Sequence, residues 1–112
     1  MNNLKTTGKP RQFATGAQRD SGEGKLRMSL VPHNALNAAM MRYLQGANTY
    51  GENNWKKGMK HSVLYDSTMR HLMQDFTGDD SEDHLGAALW NIMGMIWNRD
   101  NKPEMDDRKE YE

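Results

Sequence analysis

The chain has 112 residues, 36% hydrophobic and 27% charged, with a mean hydropathy of −0.99, which suits one small domain at the polar edge of the globular range. Fifteen basic residues balance fifteen acidic ones, so no global field draws the chain to a nucleic-acid polymer or an anionic membrane, and any affinity for phosphate is local. The absence of cysteine excludes disulfides, thiolate metal sites and a cysteine nucleophile. No apolar run approaches the roughly 20 residues of a membrane span, and MNNLKTTGKP lacks the apolar core of a signal peptide. A cytoplasmic protein is expected.

Residues 1–27 are rich in Gly, Thr, Ser and charge, with Leu4 and Phe13 as their only large apolar residues before Leu26. Such a segment buries too little surface to offset chain entropy by itself. It reads as a flexible basic arm whose Arg19, Lys25 and Arg27 would fold over a phosphate or simply be solvated. Residues 28–100 read as the helical domain, and 101–112 as an acidic, frayed tail, since Pro103 opposes helix continuation.

In the helical domain, Leu36, Met40, Met41 and Leu44 repeat at helical spacing after Pro32, and Gly46 is a plausible C-cap. The spacing predicts a first helix over 32–45. The segment TYGENNWKKGMKHS carries two glycines and paired asparagines and reads as loop, anchored by Tyr50 and Trp55. Ser62 is placed to cap a second helix with a stripe of Leu64, Met69, Leu72, Met73 and Phe76, ending near Thr77 and Gly78. Ser81, followed by Glu82 and Asp83, is placed to start a third helix. That helix is apolar almost all round, so self-association into a homo-oligomer is expected to cover it. The fold class is all-α: a small three-helix core with a long irregular N-terminal arm and loop.

The densest chemistry lies in MRHLMQDFTGDDSEDHLGAALWN, residues 69–91. His71 and His84 flank an acidic turn, and Asn91 sits seven residues beyond His84, on the same face with small Ala87 and Ala88 between. If the two helices pack antiparallel, His71 approaches His84 or Asn91, beside Asp80, Glu82 and Asp83. The functional reading is a Mg²⁺ or Mn²⁺ site on Asp80, Glu82 and Asp83 that carries a phosphate-bearing substrate; a zinc version uses both histidines and one carboxylate. The competing reading is that the acids cap a helix and solvate a turn. Asp75 and Asp79 are the less favoured acids of this stretch. Trp90 and Trp97 are expected to pack in an interface, whereas Tyr50 or Trp55 would stack on a base.

Four segments in this order, TGAQRDSGEGKLRMSLVP from Thr15, YGENNWKKG from Tyr50, YDSTMRH ending at His71 and EDHLGAALWN ending at Asn91, resemble the bacteriophage and bacterial family of dATP/dGTP diphosphohydrolase N-terminal domains. The resemblance covers residues 13–107. It places the family pattern on Arg19, Asp20, Lys25, Tyr50, Gly51, Asn54, Trp55, Gly58, Arg70, His71, Glu82, Asp83, His84, Trp90 and Asn91. It implies a purine nucleotide ligand, and a metal-dependent conversion of a purine deoxynucleoside triphosphate to monophosphate and pyrophosphate in the infected host cell. In that reading His71, His84 and Asn91 are catalytic, and Arg19, Lys25, Tyr50, Asn54, Trp55 and Arg70 bind ligand. The EExxE helix of MazG-like pyrophosphohydrolases is missing. The alternative is therefore a non-catalytic sponge that sequesters a nucleotide signal of anti-phage defence, such as a cyclic nucleotide.

Overall fold

The computed structural model describes residues 8–112; the expectations that fall on 1–7 lie outside the described residues. The chain divides between Pro32 and His33 into two compact units. In the first, β1 (Arg11–Gln12) and β2 (Gln18–Arg19) pair antiparallel, with Arg11 opposite Arg19 and Gln12 opposite Gln18. Gly16, at φ +90°, makes the turn possible, and its N–H donates to the Phe13 carbonyl at 2.9 Å. The segment read as a flexible basic arm carries a small hairpin, followed by a 3₁₀ turn at Met28–Leu30.

The second unit is built on α1 (His33–Tyr50), α2 (His61–Phe76) and α3 (His84–Asn101). The most apolar helix, α3, is the middle one and packs against both others. The predicted helices are all present, with shifted ends. α1 runs on past Gly46, and the left-handed residue that stops it is Gly51 at φ +94°, whose N–H donates to the Ala47 carbonyl at 3.0 Å. Ser62 does not cap α2 but lies within it. The capping acceptor is Asp107, which receives the Ser62 N–H at 2.9 Å and the Ser62 hydroxyl at 2.5 Å. The segment 101–112, expected to fray, is consequently folded back in two 3₁₀ turns, Pro103–Met105 and Arg108–Tyr111. α3 starts at His84 rather than after Ser81, because the Asp83 carboxylate accepts from the Gly86 N–H at 3.0 Å and is the cap.

The buried centre is narrow: Ala39 on α1, Leu64 and Thr68 on α2, and Ala87, Ala88, Asn91 and Asn98 on α3. Small residues let the helices approach closely. A side chain at Gly86 would stand 3.1 Å from the Ala38 carbonyl of α1. Asn98 donates from Nδ2 to the Met59 carbonyl at 2.8 Å and so fastens the 51–60 loop to α3. An aromatic chain does the same: Tyr43 meets Trp55 and Trp90 at 5.7 and 5.8 Å, and Trp55 meets Trp97 edge-on at 5.1 Å. The two α3 tryptophans, both half-buried, make these contacts within the chain. Among the described residues no helix is long and apolar enough to cross a membrane.

Candidate metal centre and cleft

The turn between α2 and α3 is shaped by its own side chains. Gly78 takes φ +87° after the last turn of α2, and Asp79 Oδ1 accepts the Ser81 N–H at 2.9 Å, an Asx-type turn that reverses the chain. The reversal brings the first residue of α3, His84, onto His71 of α2.

Their Nδ1 atoms lie 2.8 Å apart, with ring centroids at 5.1 Å. His84 is only 2% exposed. Two imidazole nitrogens at that distance have two options. One carries a proton and donates to the other, or both are bare and their lone pairs converge on a cation. Adjacent nitrogens around an octahedral ion with bonds of about 2.1 Å stand about 3.0 Å apart, so the observed spacing fits both a hydrogen bond and a shared cation. Glu82 joins them: one ligand atom from each of His71, Glu82 and His84 lies within 4.8 Å of the others.

The remaining nitrogen of His84, Nε2, is buried without a hydrogen-bond partner. Asp79 Oδ2 stands 3.4 Å from it, close but poorly aligned. Glu82 is held from the other side by Arg42, whose Nη2 donates to Oε1 at 2.8 Å and to the Asp83 carbonyl at 2.9 Å. That pairing keeps the Glu82 carboxyl below the usual carboxylate range, with desolvation working against it. Burial pushes the His71 imidazole down, Glu82 opposing and the nearby His84, Arg42 and Arg70 reinforcing. A depressed His71 is neutral near pH 7 and able to act as a ligand.

His71 and Arg42 also border a cleft of about 480 Å³ formed by the second half of α1, the 51–59 loop and the cleft-facing side of α3. Its walls include Tyr43, Tyr50, Asn54, Trp55, Trp90 and Asn91. Asn91 is buried and donates from Nδ2 to Ser67 Oγ at 2.9 Å. The size is that of a small-molecule site, and the mixture of aromatic faces with a few amides is what such sites use.

The sequence-predicted residues are therefore distributed as follows. His71, His84 and Glu82 come together, and Tyr50, Asn54, Trp55 and Asn91 line the adjoining cleft. Asp83 turns its carboxylate to the α3 cap, and Asp80 is exposed on the turn, outside the cluster. Arg70 is exposed, with a long 3.4 Å contact to Ser67 Oγ. Arg19 and Lys25 belong to the first unit. Arg42, Ser67 and Asp79 were missed or set aside. Arg42 carried a signal, being the one Lys, Arg, Asp or Glu in the whole of α1.

No solved structure matches the chain. A dATP/dGTP diphosphohydrolase of Salmonella phage PMBT28 is 29% identical over 100 residues, which cover 85% of this chain. The match spans 33% of that relative's length. Residues 15–108 match the family described as dATP/dGTP diphosphohydrolase, N-terminal, and the chain belongs to that family.

Proposed function

We propose that this chain binds a purine deoxynucleoside triphosphate in the α1–α3 cleft, with a divalent cation on His71, Glu82 and His84, and takes part in its cleavage to monophosphate and pyrophosphate. The observation that carries the reading is the 2.8 Å approach of the two Nδ1 atoms at the edge of an aromatic cleft. Two imidazoles and one carboxylate favour Mn²⁺ or Zn²⁺ over Mg²⁺, which prefers oxygen ligands. When bound, the cation would neutralise phosphate charge and polarise a phosphoryl oxygen.

The chain's own residues have separate tasks. Tyr50, 71% exposed, and Trp55 offer faces on which a purine stacks. Asn54 and Asn91 supply amide donors and acceptors, and Asn91 is fixed by Ser67. Arg42 orients Glu82 through their ion pair. Arg70, exposed beside His71, is free to turn toward phosphate oxygens.

A second reading has a specific observation behind it. Among the described residues the metal-competent cluster includes a single carboxylate, a thin set for activating water. Capture of a nucleotide, such as a cyclic signal of anti-phage defence, without hydrolysis would need no more. One experiment separates the readings: incubate the protein with dATP, dGTP or a cyclic nucleotide, with Mn²⁺, Zn²⁺ or Mg²⁺, and follow both melting temperature and pyrophosphate. Pyrophosphate release supports cleavage, and a raised melting temperature with the nucleotide recovered intact supports capture. Neither response with any nucleotide overturns both.

A further inference from the structure

On α2, Tyr65, Met69, Leu72 and Phe76 follow one another at spacings of four, three and four. On α3, Leu85, Leu89, Ile92 and Ile96 repeat the same spacing. This is the interval of a coiled-coil seam. At 100° per residue each row lies about 150° round its helix from the cleft-facing residues, which are Ser67 and His71 on α2 and Ala87 and Asn91 on α3. Both rows therefore face away from the cleft. They are open: apart from the half-buried Leu89, their members range from 38% exposed at Ile92 to 92% at Phe76.

Taking about 200 Å² for a fully exposed large side chain, these rows and the neighbouring Met73 present on the order of 700–900 Å² of apolar surface. The largest patch on a typical monomer is about 300–600 Å². One face of a standard stable interface is about 800 Å².

We propose that this face pairs with the same face of a second copy, α2 and α3 of each protomer forming a four-helix homodimer. The occupant is a second copy because the area matches one side of a dimer. The face also holds two equal-length rows, each about 16 Å long, and no charge within them, so it is complementary to itself under a two-fold axis. Pairing there leaves both clefts open on the outer sides of the dimer.

The chain's lack of cysteine makes a clean test. Sedimentation velocity of the unmodified protein should give the mass of a dimer. A single Met69→Cys substitution should cross-link two chains with a short bis-maleimide, whereas Glu52→Cys, in the loop beside the cleft, should not. The double variant Met69→Glu, Ile92→Glu should sediment as a monomer with its helical circular dichroism retained. Monomeric mass at all concentrations overturns the proposal, including the case in which the N-terminal unit of the same chain covers the rows. So does equal cross-linking from Glu52→Cys, or a dimer that survives the double substitution. Should the double variant fail to fold, the cross-linking comparison still decides.

Discussion

Asp79 Oδ2 stands 3.4 Å from Nε2 of His84, the nitrogen that faces away from His71. A carboxylate there favours the tautomer with its proton on Nε2 and leaves the Nδ1 lone pair free for a cation. Asp79→Asn is expected to weaken Mn²⁺ or Zn²⁺ binding about 10- to 100-fold, measured by titration calorimetry, while His71→Ala and His84→Ala abolish it. That loss would make Asp79 a positioning residue. Unchanged affinity in Asp79→Asn would show that Asp79 serves only the turn.

Tyr50 and Trp55 both border the cleft, but they differ in what else they hold. Trp55 is wedged between Tyr43 and Trp97, so its loss would loosen the loop. Tyr50 is largely exposed and offers the cleaner variant. Tyr50→Ala should lower purine nucleotide affinity about 5- to 150-fold, the equivalent of about 1–3 kcal/mol for one stacked base, with no change in melting temperature of the free protein. An equal affinity in fluorescence titration would place the base elsewhere.

The packing centre can be probed from both directions. Leu64 is 2% exposed, and Leu64→Ala should cost about 2–5 kcal/mol through lost burial and a cavity. Gly86→Ala adds a methyl 2.5 Å from the Asp83 carboxylate that caps α3 and 3.1 Å from the Ala38 carbonyl of α1, and should cost about 1–3 kcal/mol by overpacking. Urea titrations give both values. A neutral Gly86→Ala would mean that the Asp83 carboxylate and α1 both give way without penalty.

Acid should act through Asp107. The hydrogen bond from the Ser62 hydroxyl, helped by the Ser62 N–H and opposed by desolvation, holds its carboxyl below the usual range. The unfolded chain therefore binds more protons than the folded one between the two pKa values, and stability rises with pH across that window. The contribution is complete above the unfolded value of about 3.9 and is lost as pH falls from there through the folded value. Asp107→Asn should flatten the dependence of melting temperature on pH below about 4. An unchanged profile would assign the acid response to other carboxylates, such as Asp106, which Arg108 holds low.

Much of the helical unit was legible in the residues, and for identifiable reasons. Leu64 and Met69, Leu72 and Phe76 recur at helical intervals, so α2 was found almost to the residue. Of the two neighbours expected for His71, His84 and Asn91, the first lies against it, because a short turn between two helices forces antiparallel neighbours. What failed was anything decided across long sequence separation. Asp107 caps a helix start 45 residues away, and Arg42 reaches Glu82 across 40. Asp83 outcompeted Ser81 as the cap of α3, leaving the acids divided between capping, turn and cation. Composition alone could not tell which acid would do which.

The bond between Asp107 and Ser62 also sets an order of events. Isolated helical turns form in about a microsecond, but synthesis proceeds at about 5–20 residues per second, so Ser62 waits about 2–9 s before the residue that caps the start of α2 has been made. Through that interval the start of α2 is a frayed end, and the acidic segment that closes it acts as a late clasp on a helix made before it.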